Sequence, residues 1–420
     1  MKKNLLFLAA IGLVAFSSCT QSEDEVPARS TELVPVQFST YLGQPAQVKA
    51  GKTGELTATT LTDFGVFAEY THANASNTYT PNFMYNEKIT GTTGSYTYAD
   101  VALTKYWPNE VVTSGDTDGN GATTTDGVDA LSFWAYAPYV KVTPSTGALD
   151  SETPTDKGIT AISKNNENKP TISYTVASSP ENSVDLCYGV SNMNSWTPVV
   201  GTKTINKGDF ITLLTKPAVD TKVDILFKHA LSKLSIEAAT SVAKENAPLG
   251  NTQESTKVTI EKIEIKSTAK LNQSGKLDLT DGTWSFDATT KELALNVEGD
   301  YLRPSFKDGG DQVQTVEGVT GTLQSVFKDE TTMLTVIPTS TTTKLDVTIT
   351  YYVTTPDEKL AATYARVKNV ITKQTGNITF EQGKNYKLKL VLGLADVQFD
   401  ATVEEWTTTL DTQADLPKNK

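Results

Sequence analysis

Short runs in which every second residue is apolar, each ended by Gly, Pro, Asn or Asp, recur along most of the chain. A period of two sets one face of an extended segment against a core and the other toward water, so it selects strands over helices. The runs are Val34 to Leu42, Phe64 to Tyr70, Leu131 to Tyr139, Thr171 to Val176, Val223 to Phe227, Leu231 to Ala238, Val258 to Ile265, Leu334 to Ile337, Leu345 to Val353 and Tyr386 to Leu394. Together they predict an all-β fold. Helical patterning is confined to Tyr364 to Ile371, a candidate short helix that its Val and Thr neighbours weaken. Asp281-Gly282, between alternating runs from Leu277 to Phe286, is the clearest tight hairpin. Tyr386 to Leu392 is apolar at even positions and Val397 to Val403 at odd ones, which calls for a bend or bulge between them.

The polar stretch Leu214 to Lys222, punctuated by Lys and Pro, precedes a strongly apolar strand and reads as a domain boundary. It divides the chain into segments 34–214 and 222–411. From Thr143 to Pro170 the alternation lapses, which predicts a long surface insertion. A chain of 420 residues suits two or three domains, each able to bury a core unaided. No internal repeat of about 20 to 50 residues is evident.

The N-terminus follows other rules. Lys2 and Lys3 precede the almost wholly apolar run Leu5 to Phe16, and small Ser17 and Ser18 close it, as in a secretory leader over residues 1–18. As a helix this run would rise roughly 18 Å against about 30 Å of hydrocarbon, too little for a permanent span. Ser17-Ser18-Cys19 resembles the lipobox of bacterial lipoproteins, with Phe16 standing where Leu is usual. That resemblance implies palmitate-type acylation of Cys19, which becomes the first mature residue and holds the chain on a membrane. The acidic run Thr20 to Glu25 resembles the signal that sends lipoproteins of the Bacteroides group to the outer face of the outer membrane. The same residues make a solvated tether over 19–33.

The formal net charge is −12, and it becomes more negative when Lys2 and Lys3 leave with the leader. Such a balance disfavours nucleic acid and anionic lipid surfaces as partners. Of two cysteines, Cys19 is assigned to lipid, so Cys187 has no partner for a disulfide.

Five phrases carry a wider resemblance: Phe64-Gly-Val-Phe-Ala-Glu-Tyr70, Lys105-Tyr-Trp-Pro-Asn109, Leu131 to Tyr139, Phe227-Lys-His-Ala-Leu-Ser-Lys-Leu234, and the closing segment from Gly383 to Trp406. In this order and spacing the chain resembles the fimbrillin family of Bacteroidales surface lipoproteins and pilins. The resemblance implies two transthyretin-like β-sandwich domains in tandem, partnership with other fimbrillin-type subunits, and a surface ligand on host or bacterium. In polymerising members a protease removes the first strand after an Arg, and a strand from the next subunit fills the vacated groove. Here Lys49-Ala50 stands where those members carry Arg followed by Ala, Lys52 is a second candidate, and Arg29 precedes the first strand. Either the subunit is cut at Lys49 or Lys52 and polymerises, or it keeps its strand as an anchor, a tip or a solitary surface protein. The first strand is expected in a groove ending near Lys49. Pairing on both its edges would count against release, because too much core would be uncovered.

Chemistry-bearing motifs are sparse. Of two histidines, His229 lies in a strand-like phrase and reads as a packed structural residue, while His72 lies in a polar turn. No nucleophile elbow, HExxH or phosphate loop is present, so no enzymatic activity is expected. Asp116, Asp118 and Asn120 match the first half of a calcium loop, but Gly127 stands where a bidentate Glu is needed. Asp126 or Asp129 would have to substitute, and a plain acidic loop is the simpler reading, so no cofactor is expected beyond the lipid. Trp107, Trp134 and Trp196 offer a sugar-stacking platform if exposed, and core packing otherwise. The rival to a fimbrial subunit is accordingly a solitary glycan-binding lipoprotein.

Overall fold

The computed structural model describes residues 33–41, 61–71, 77–92, 95–108, 129–151, 158–193, 196, 204–217, 221–241, 256–288, 291–307, 323–329, 332–356, 359–360 and 364–406. Over these residues the chain is all-β. Strands of the first half are β1 (Phe38–Tyr41), β2 (Asp63–Thr71), β3 (Met84–Thr92), β4 (Ser95–Tyr98), β5 (Ala130–Ala137), β6 (Ile159–Ile162), β7 (Thr171–Thr175), β8 (Cys187–Ser191), β9 (Ile211–Leu214) and β10 (Val223–His229). The second half adds β11 (Ser232–Thr240), β12 (Lys257–Ser267), β13 (Ser274–Asp278), β14 (Trp284–Ser285), β15 (Leu295–Glu298), β16 (Gln324–Ser325), β17 (Leu334–Val336), β18 (Leu345–Pro356), β19 (Tyr364–Gln374), β20 (Lys384–Leu392) and β21 (Val397–Glu405).

The first half is organised around a sheet in the order β2-β3-β4-β1-β10-β8-β5-β9, and β2 also pairs with β5. That extra pairing closes β2, β3, β4, β1, β10, β8 and β5 into a ring, with β9 added to β5 outside it. Phe38, Phe64, Val66, Phe133, Ile225 and Phe227 fill its interior. β5 is buried at every position because it has a core on each face. Phe133 and Ala135 point into the ring, whereas Trp134 and Tyr136 belong to a second core that continues into the rest of the molecule. This explains why Phe133 to Ala137 is apolar at every position rather than at every second one. Gly65 is required where β2 passes Tyr136, since a Cβ there would stand 2.3 Å from Tyr136 Cε1.

A four-stranded sheet, β14-β13-β7-β6, joins strands from both halves, with β13 antiparallel to β7. The last two sheets are β16-β11-β20-β21, with β17 also on β11, and β15-β12-β18-β19. Their buried faces, including Leu234, Ile236, Leu388 and Leu390 on one side and Ile263, Ile265, Val347 and Ile349 on the other, share one hydrophobic core.

Several expectations need correction. The boundary at Leu214 to Lys222 fails, because Val223–His229 is a stave of the first-half ring, paired with β1 and β8. The passage to the later sheets falls instead at Ala230 and Leu231, where both residues are fully buried and no polar linker marks the change. The expected insertion from Thr143 to Pro170 contains β6, whose Ile159 and Ile162 are core residues. Tyr364 to Ile371 is strand, held along its length by β18, so β-branched propensity prevails over the helical pattern. The parity change between β20 and β21 is a full reversal rather than a bend, with the Gly393 N–H donating to the Asp396 carbonyl at 2.7 Å. The Asp281-Gly282 hairpin forms, with Gly282 at φ +74°, but its loop is longer than two residues because Asp278 and Thr283 make the closing backbone bond.

Candidate functional site

The segment Val34 to Tyr41 holds the first strand, on which the expectation of release or retention bears. Its first part is held by the stretch after β4: the Val36 N–H donates to the Lys105 carbonyl at 2.8 Å, and the Trp107 N–H donates to the Val34 carbonyl at 2.9 Å. Its second part lies parallel to β10, Phe38 to Tyr41 facing Val223 to Leu226, while Phe38 also pairs with Tyr96 of β4. Both edges of the segment are therefore used. This is the arrangement that counts against simple release of the strand.

Side chains reinforce the ladder. Alternation sends Val36, Phe38 and Thr40 inward. The Phe38 ring meets Phe133 at 5.8 Å, Tyr98 at 6.2 Å and Phe64 at 6.3 Å between centroids, each in an edge-on geometry. On the outer face the Ser39 hydroxyl donates to Asp224 Oδ1 at 2.9 Å, and Asn192 Nδ2 donates to the other oxygen at 2.8 Å. Asp224 thus fastens β1 to β10 and to the chain beyond β8. Without β1, a slot one strand wide, open on two backbone edges and floored by three aromatic rings, would separate β4 from β10.

A second cluster sits where β8 and β10 end. Asp185 and Cys187 are two residues apart and face the same side, and Cys187 is the cross-strand partner of His229. His229 Nδ1 lies 2.8 Å from Asp185 Oδ2, and the Cys187 thiol lies 3.6 Å from the same oxygen and 3.7 Å from Nδ1. These ligand-type atoms are close enough to surround a metal ion, but the short His–Asp contact is that of groups bonded to each other. Trp406, beyond β21, stacks on the His229 ring at 4.0 Å and 3°. The cluster therefore joins the ring to the last strand, and His229 is packed and structural, as its apolar neighbours suggested. Sequence spacing missed the cluster, since 42 positions separate Cys187 from His229 and only strand register brings them together.

The other expected site residues divide simply. Cys19, Arg29, Lys49, Lys52, Asp116, Asp118 and Asn120 lie outside the described residues, as do His72, Asp126 and Gly127. Asp129 is buried and accepts a hydrogen bond from the Tyr70 hydroxyl at 2.9 Å, which commits it to the core. Trp107, Trp134 and Trp196 are all buried, with Trp107 stacked on Trp196 at 6.0 Å inside the ring, so they form no sugar platform.

The fold has a counterpart among solved structures: a fimbrial protein from Bacteroides vulgatus ATCC 8482 superposes with a TM-score of 0.57 at 20% identity, over 89% of this chain and 100% of that one. At that identity the likeness is one of architecture. Sequence carries the assignment further, because the fimbrillin-like family profile matches residues 122–406, and the chain belongs to that family. It is also 31% identical over 186 residues to the fimbrium subunit Fim1C of Phocaeicola vulgatus. That alignment spans 42% of this chain and 39% of the relative, well under half of either.

Proposed function

We propose that the chain is a lipid-anchored fimbrial subunit displayed on the cell surface, which keeps its first strand and serves at the anchor or tip of a fimbrium. The observation that carries this reading is the pairing of Val34 to Tyr41 on both edges, with Phe38 in the ring's aromatic core. Removing such a segment without a replacement leaves unpaired backbone on two strands and uncovers three rings, each an unfavourable exposure. The Lys at position 49, where polymerising relatives carry Arg, points the same way. Acylation of Cys19 and the acidic run behind it supply the anchor and the outward address. The subunit binds other fimbrillin-type subunits and a surface ligand, and no covalent chemistry is assigned to it.

One observation favours a second reading. β1 is joined to β2 through residues 42–60, which contain Lys49 and Lys52, so a single cut there would let a donor strand take its place. The intact mass of the native protein's N-terminal portion separates the two. Retention predicts acylated Cys19 followed by the whole of β1. A start at Ala50 or Thr53, together with a heat-labile ladder of multimers on a gel, would overturn retention in favour of strand exchange. The solitary glycan-binding rival draws no support from the three tryptophans, all of which are core residues.

A further inference from the structure

The wall of the ring formed by β3 and β4, together with the chain following β5, borders an open cleft of about 390 Å³. That size falls within the range of small-ligand pockets. Three tyrosines, Tyr85, Tyr98 and Tyr139, line it, together with Glu87, Asp100 and Lys141. We propose that this cleft binds a neutral saccharide, the end of a surface glycan, through tyrosine faces and the Glu87 carboxylate. The proposal rests on the surface-displayed adhesive role above and names a ligand class for it.

The chemistry of the lining selects the ligand. Glu87 is half-buried, and among the described residues its side chain makes no hydrogen bond or ion pair. Burial, helped by Asp100 and opposed by Lys105, holds its carboxyl above the usual range. It is therefore an acceptor shielded from water and short of donors, suited to adjacent hydroxyl groups. Asp100 commits one oxygen to the Ala102 N–H at 2.9 Å. The cations at the rim are already engaged: Lys88 Nζ lies 3.2 Å from Asp63 and 5.2 Å above the Tyr139 ring, and Lys141 Nζ lies 3.3 Å from Asp150. An anionic ligand would face Glu87 and Asp100, and a cationic one would compete with Lys105, whose charge already acts on Glu87. A neutral polyhydroxylated ligand meets neither obstacle, and its C–H faces match the partly buried rings of Tyr85 and Tyr139, while Tyr98, a core residue, backs the wall. Tyr98 also touches Phe38 at 6.2 Å, so β1 supports one wall of the cleft.

The test uses the full chain in detergent micelles against an array of saccharides ending in mannose, galactose, N-acetylglucosamine or N-acetylgalactosamine, with sialylated, sulfated and amine-bearing probes alongside. At least one neutral probe is expected to bind with a Kd of ~10 μM to 1 mM. Glu87→Gln and Tyr139→Ala should each weaken it about tenfold or more, with thermal unfolding checked for both. Glu87→Gln keeps the shape of the wall and so separates recognition from folding. The proposal is overturned by no binding of any neutral probe at ~10 mM, by tighter binding of charged probes, or by affinity unchanged in folded Glu87→Gln and Tyr139→Ala. None of these outcomes alters the N-terminal mass, so failure here is distinguishable from failure of the subunit reading.

Discussion

Replacing Phe38 by alanine tests whether β1 belongs to the working protein. Phe38 is 1% exposed, and its ring contacts Phe64, Tyr98 and Phe133. Truncating a buried Phe costs ~3 to 5 kcal/mol, and the three edge-on ring contacts place this site toward the upper end. With a slope of ~2 to 3 kcal/mol per molar urea, the unfolding midpoint should fall by ~1 to 2.5 M. Tryptophan emission is a suitable probe, because Trp107 and Trp196 stack inside the same ring and Trp107 lies 5.9 Å from Phe133. Tyr41→Ala, on the same strand but 36% exposed, is the control and should change stability by less than about 0.5 kcal/mol. The comparison must be made on protein isolated from the cell surface. If the midpoint shift of Phe38→Ala is under about 0.3 M there, β1 is absent from or loosely held in the displayed form, and retention is refuted.

Two further outcomes follow from buried polar groups. His229→Leu should cost ~3 to 5 kcal/mol in urea unfolding, because Asp185, fully buried, loses its 2.8 Å partner. Adding Asp185→Asn should restore part of that loss, whereas equal stabilities for the single and double variants would show that the pair contributes little. At alkaline pH, burial and the nearby Glu167 carboxylate push Tyr85 up to about 12, and burial holds Tyr136 well above its ordinary value of 10. Between pH 10 and 12 the unfolded chain has then lost protons that the folded chain retains, so stability falls as pH rises through that window. Tyrosinate absorbance should therefore rise in two stages, the second accompanying loss of near-ultraviolet dichroism. A single reversible step near 10 for all 16 tyrosines would refute this.

The all-β class was legible because a two-residue period survives wherever one face is buried, as in β10, β11 and β20. Partnership across long separations was not. Nothing local marks Phe38 as the neighbour of Val223, or Asp185 as the neighbour of His229, because strand order depends on closure of the whole ring. The misplaced boundary has the same origin: Leu214 to Lys222 looks like a linker, yet the strand after it completes the earlier ring, and the real crossing at Ala230-Leu231 is apolar and silent. The stretch from Thr143 to Pro170 reads as an insertion because β6 is too short to show a period, and Tyr364 to Ile371 does not read as a strand because this edge strand leaves Val367 and Val370 exposed and so shows no apolar alternation. At the cleft, the tyrosines of strands β3 and β4 were visible as residues, but their convergence with Tyr139 required the fold.

The two halves solve one problem in the same way, and the difference between them bears on how the chain is used. β11, first strand of the second half, is parallel to β20 on one edge and antiparallel to β17 and β16 on the other. β1, first strand of the first half, is parallel to β10 on one edge and antiparallel to β4 on the other. Each is an inserted strand that closes its neighbourhood. β11, however, continues β10 after only two buried residues, Ala230 and Leu231, and Ala230 is itself tied by its N–H to the Leu186 carbonyl at 2.7 Å. No cut could free β11 without breaking the core. β1 has no such continuity with its partners, since β10 and β4 are both remote from it in sequence. The chain thus carries one inserted strand that directly continues its neighbour and one held to its neighbours by pairing and side-chain contacts. Under the proposed subunit reading, retention and exchange of β1 are close alternatives, since the ring presents the same two edges and the same aromatic floor to its own strand and to any strand that replaced it.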